Sequence, residues 1–127
     1  MKIEDIKNAL SATMIYCPEE GIENEYGTVC ACDMMSELLA IMNRAQHDNS
    51  GIFLLTGLTN PQVIRTSEMV DIHLIIFLRN KLPTPDTIEL ARDCGITLLS
   101  TPHTMFKSCG LLYQMNLNDV QLEKRYV

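Results

Sequence analysis

The feature that most constrains this chain is a seven-residue apolar run, Ile72-His73-Leu74-Ile75-Ile76-Phe77-Leu78, broken by one histidine. It is bounded by Asp71 and by Arg79-Asn80-Lys81. A strand with one wet face would alternate apolar and polar residues. A run apolar at successive positions fits a central parallel strand covered on both faces. Two shorter runs flank it, Ile52–Thr56 after Gly51 and residues 96–100 after Gly95. Between them lie segments with apolar residues at helical spacing. Val63 and Ile64 follow Asn60-Pro61, and Leu90 and Ala91 follow Thr84-Pro85-Asp86. Strands alternating with helices of about 10 residues imply right-handed crossovers. The fold class expected is α/β, a mainly parallel sheet with helices on both faces.

The N-terminal third adds to this pattern. Ile3, Ile6 and Leu10 predict a short first helix, and residues 12–17 a strand. Residues 27–33 begin as a strand, and Asp33 is placed to cap a helix carrying Met34, Met35, Leu38, Leu39 and Met42. Thr59 or Asn60 caps the next helix, with Pro61 in its first turn and Met69 towards its end. Thr84 or Asp86 starts the following one, which ends at Gly95, a C-cap glycine. The last helix is expected to start with Thr101 as cap and Pro102 at its first position. Its buried stripe would be Met105, Phe106, Cys109, Leu112 and Tyr113. One domain over residues 1–120 and a flexible tail over 121–127 are expected.

Composition excludes several classes. With 127 residues and 46% apolar content a core needs no staples. A net charge of −6 argues against nucleic-acid binding and against an anionic membrane surface. No apolar run approaches the roughly 20 residues of a membrane helix. The acidic start and five cysteines without a framework suggest a cytoplasmic, reduced setting.

The stretches "DIHLIIFLRNKLPTPDTIELARDCGITLLSTPHTMFKSCGLLY" and "CDMMSELLA" resemble the DRTGG domain family, and the likeness extends from about Ile3 to Asn118. It is similar also to the N-terminal domain of HPr kinases. The resemblance implies a compact module without catalysis, regulatory or dimerising, found alone or beside CBS domains. It also implies, for stand-alone members, an association with hydrogenase or other redox complexes. Members carry glycines directly after the central strand. Here that turn is Leu78-Arg79-Asn80-Lys81, where Asn80 is the best non-glycine substitute.

In open parallel sheets, ligands gather outside the carboxyl ends of the strands. Those ends bring together Thr56, Gly57, Asn60, Arg79, Asn80, Ser100 and Thr101, with Asp33 close by if its strand is parallel. The turn after Thr56 has one glycine and no Lys-Ser/Thr at the helix start, so it is no nucleotide-hydrolase loop. It retains the capacity for a small anion. The competing reading makes Asn60 and Thr101 plain caps and Arg79 a solvated charge.

Cys30 and Cys32, two apart on a strand, face one side. With Cys17 and Cys109 they raise an alternative: a redox or zinc or iron–sulfur accessory protein. Neither a cofactor nor catalysis is expected otherwise. Ser100 and His103 could be drawn as nucleophile and base, whereas His47 and His73 have no metal spacing. The partners expected are a second copy and a small anionic or nucleotide-like ligand, or a protein.

Overall fold

The computed structural model describes residues 1–45 and 51–122; His47 and residues 123–127 of the expected tail lie outside them. Six strands form one sheet in the order β1-β5-β4-β3-β2-β6. They are β1 (Thr13–Tyr16), β2 (Thr28–Ala31), β3 (Ile52–Thr56), β4 (Leu74–Phe77), β5 (Thr97–Ser100) and β6 (Asn118–Asp119). The helices are α1 (Ile3–Ala9), α2 (Met35–Asn43), α3 (Pro61–Met69), α4 (Pro85–Cys94) and α5 (Met105–Gln114). Strands β2 to β5 are mutually parallel, as is β6 to β2, and β1 is an antiparallel edge. The three runs at residues 52, 72 and 96 therefore adjoin and point the same way.

Alternation along the strands divides the core in two. Leu54, Ile75, Phe77 and Leu98 meet Leu38, Met42, Val63, Ile64 and Ala91 from α2, α3 and α4. Phe53, Leu55, Leu74, Ile76 and Leu99 meet Ile3, Ile6, Leu10 and Leu112 from α1 and α5. Every residue of β3, β4 and β5 is buried, as continuous apolarity required. No helix among the described residues is long and apolar enough to cross a membrane.

Local signals set several boundaries. Asn60 accepts a hydrogen bond from the Gln62 amide with Pro61 behind it, and Gly95 ends α4 at φ 69°. Other expectations are corrected. Thr101 does not cap α5; Thr104 does, accepting from the Lys107 amide, so the helix starts three residues late. Phe106 and Tyr113 are not in its buried stripe; they are 90% and 77% exposed. Two short helices cannot cover the whole face of a six-stranded sheet, and α5 turns Ser108 and Leu112 inward instead. Met69 is likewise exposed. The expected strand at 72–78 shortens to four residues, and His73 lies outside it, paired with Asp71. Strand β6 was not expected: its two residues are polar, and it exists because β2 offers a parallel edge. Beyond it Leu122 bridges to Ala45, inside the segment expected to be tail.

Candidate functional site

The carboxyl ends of β2, β3, β4 and β5 carry the expected residues, and hydrogen bonding sorts them into two groups. Connections from β3 and β4 run to one face through α3 and α4. The connection from β5 runs to the other through α5. A crevice would open where the connections diverge, between β4 and β5. The chain closes it. The Thr101 amide donates to the Phe77 carbonyl at 2.9 Å, the Asn80 amide to Thr101 at 2.8 Å, and the Arg79 amide to His103 at 3.0 Å. The Ser100 hydroxyl donates to the Lys81 carbonyl at 2.9 Å. The Thr101 hydroxyl donates to the Leu10 carbonyl at 2.6 Å. Ser100 and Thr101 are thus buried structural groups here. Ser100 is engaged with Lys81 and forms no pair with His103.

This closure explains the turn after β4. Arg79 and Asn80 hold φ of 58° and 57°, and the Lys81 amide donates back to the Leu78 carbonyl at 3.1 Å. Positive φ at both central residues marks a type I′ turn, which glycine or asparagine makes at least cost. Asn80 suits it; Arg79 does not, and an arginine in that conformation carries local strain. Its amide bond to His103 and the tight closure hold it there.

The second group lies one strand away, around Gly57. The β2–β3 register, Ala31 opposite Leu55, sets Asp33 beside Gly57 two residues on. The β3–β4 register, Thr56 opposite Phe77, brings Arg79 in from the other side. Asp33 Oδ1 accepts from the Gly57 amide at 2.6 Å and from the Thr56 hydroxyl at 3.2 Å. Thr56 Oγ1 in turn accepts from the Leu58 amide. Lys81 Nζ donates to the Gly57 carbonyl at 3.1 Å. A methyl built on Gly57 would stand 2.9 Å from one Arg79 terminal nitrogen and 3.4 Å from Asp33 Oδ1. Glycine lets the Arg79 guanidinium lie close over the backbone here; a side chain would make that flexible tip shift aside. Thr56 and Gly57 are buried, while Asp33, Arg79 and Lys81 are exposed. The guanidinium makes no side-chain hydrogen bond or ion pair among the described residues.

Of the expected set, then, Thr56, Gly57 and Arg79 converge. Asn60 is a helix cap and Asn80 a turn residue. Lys81 was missed, since nothing local in "RNKLP" points it at a backbone carbonyl 24 residues earlier. The expectation that Asp33 caps α2 is corrected: Met34 occupies that position, and no side chain caps the helix.

Cys30, on β2, and Cys32, just past its end, are buried in the same core cluster. The hydrogen bond between them pulls the Cys32 thiol below its ordinary pKa and, with burial, pushes that of Cys30 well above it. Among the described residues no three His, Cys, Asp or Glu side chains are grouped to hold a metal ion. Cys94 is half-buried, and its hydrogen bond to Glu68 raises it to about 11 from 9.0. The thiolate is the reactive form, and a higher pKa lowers its fraction at pH 8 about 100-fold while making it more nucleophilic, so Cys94 is expected to alkylate about 10-fold more slowly than an unperturbed thiol. Glu68→Gln should restore most of the rate. Peptide mass spectrometry after timed iodoacetamide exposure checks this, and equal rates in both proteins would disprove the Glu68 contact.

No family model matches the chain, and no curated protein matches it. Among solved structures it is similar to the CBS and DRTGG domains of the regulatory region of Clostridium perfringens pyrophosphatase, crystallised with its activator, diadenosine tetraphosphate. The TM-score is 0.67 at 24% identity, over 92% of this chain and 47% of that one. The chain thus spans about half the length of that structure.

Proposed function

We propose that this chain, which carries a DRTGG-like fold, is a non-catalytic regulatory module that senses a small anionic, nucleotide-like ligand at the carboxyl ends of its parallel strands. The observation that carries the reading is the Arg79 guanidinium. It stands over Gly57 with no side-chain hydrogen bond or ion pair among the described residues, on a strained turn, beside Lys81. A free arginine fork fits phosphate in a bidentate manner, and strain at such a position is common where a ligand is gripped. The similar pyrophosphatase region was crystallised with a polyphosphate dinucleotide, which supports the ligand class. Hydroxyls engaged as buried structural donors support the absence of catalysis.

A homodimer belongs to the same reading. Phe106 and Tyr113 leave an apolar strip on α5 beside a cavity of about 290 Å³ lined by Val29, Ala31, Cys109 and Leu117, a surface suited to an isologous contact. The rival reading, a redox or metal accessory role for Cys30 and Cys32, predicts bound metal or colour after anaerobic purification.

A thermal-shift screen against nucleotides and phosphometabolites tests the proposal, with Arg79→Ala as control. A stabilising ligand should lose most of its effect in that variant. Losing one charge-assisted bidentate contact corresponds to about 1.5–3 kcal/mol, or roughly 10- to 150-fold in affinity. An equal shift in both proteins would remove the site from this corner of the fold.

A further inference from the structure

A carboxylate of the chain itself already occupies the place where an anion would be held. Asp33 Oδ1 takes both the Gly57 amide and the Thr56 hydroxyl, a pair of donors such as an anionic ligand group uses. The Arg79 guanidinium stands over the same glycine, and Lys81 reaches its carbonyl. Packing does not force Asp33 there, since it is exposed. Nor does its local role: aspartate is among the best helix caps, yet α2 begins without a side-chain cap and its cap position falls to Met34, 62% exposed. The one acidic side chain at the end of β2 is thus diverted from the helix beside it to a turn 24 residues away.

We infer that Asp33 is an internal stand-in for the ligand's anionic group, and that a phosphoryl-bearing ligand binds by displacing it from Gly57 and Thr56. This rests on the site proposed above. The ligand and the carboxylate exclude each other, because both need the same two donors and like charges at that separation repel. A phosphoryl group outcompetes a carboxylate by carrying more charge and more acceptor oxygens to Arg79 and Lys81. Displacement releases the segment joining β2 to α2. That gives a module without chemistry a way to report occupancy, because the ligand favours the state in which Asp33 has left. The affinity seen in the unaltered chain is reduced by the cost of dislodging it.

The test titrates inorganic pyrophosphate and AMP into the full chain and into Asp33→Asn, Asp33→Ala and Arg79→Ala, by calorimetry and by following the Gly57 amide in ¹⁵N spectra. Both Asp33 variants are expected to bind at least tenfold tighter than the unaltered chain, Arg79→Ala far more weakly, and the Gly57 amide should shift on saturation. Should Asp33→Ala fail to fold, Asp33→Asn decides alone, since it keeps the shape and removes the charge. If the unaltered chain binds and the Asp33 variants bind no tighter, this inference fails while the site stands. If neither probe binds any of the four proteins, the site fails and the inference with it.

Discussion

Phe53→Ala is expected to lower the melting temperature by about 12–20 °C, while Phe106→Ala should leave monomer stability within about 0.5 kcal/mol. Phe53 has no exposed surface, is the second residue of β3, and meets the Tyr26 ring edge-on at 6.0 Å. Truncating such a ring removes its transfer energy and leaves a cavity, together about 3–5 kcal/mol. The lost aromatic pair is part of that cost. In a chain of this size 1 kcal/mol corresponds to about 4 °C, and a total stability of about 5–15 kcal/mol makes the loss a large fraction. Phe106 is 90% exposed, so its removal costs the monomer almost nothing. If α5 forms the homodimer face, Phe106→Ala should instead flatten the dependence of melting on protein concentration. Calorimetric melts at two concentrations read both effects. A fall in Phe106→Ala as large as in Phe53→Ala would contradict the placement of α5.

Thr101→Val is expected to cost about 1–3 kcal/mol and to leave any ligand response intact. The substitution keeps the branched shape and removes the hydroxyl. That hydroxyl is fully buried, donates to the Leu10 carbonyl at 2.6 Å and accepts from the His103 amide at 3.3 Å. A buried carbonyl left without its donor bears the desolvation penalty in full. The bond also ties the end of α1 to the end of β5, so its loss should loosen α1, visible as faster amide exchange over Ile3–Ala9. Retained stability with an abolished ligand response would place Thr101 in the binding site after all. It would also reopen the crevice between β4 and β5.

These two variants mark the division between local and tertiary information. Phe53 and Phe106 are the same residue type, each on an apolar periodic segment. Periodicity locates an apolar stripe but not how much of it a neighbour covers. Phe53 is buried because α1 and α5 close over the middle strands; Phe106 is exposed because no element among the described residues packs on that side of α5. Thr101 followed by Pro102 has the pattern of a helix start, and locally that is sound. The pattern yielded to a carbonyl 91 residues away, which delayed α5 to Thr104.

By itself the sequence determined the alternation of strands and helices, the parallel core of β3, β4 and β5, and the helix ends at Asn60-Pro61 and Gly95. Those features rest on backbone angles, capping and apolar periodicity, which act over a few residues. Only the tertiary structure decided which polar groups stand at the site. Asp33 had a choice between an adjacent helix and Gly57, Lys81 between solvent and a carbonyl, and Ser100 and Thr101 between a ligand and the chain. Each choice depends on which distant donor or acceptor the folded chain brings within about 3 Å, and no short stretch of sequence contains that partner.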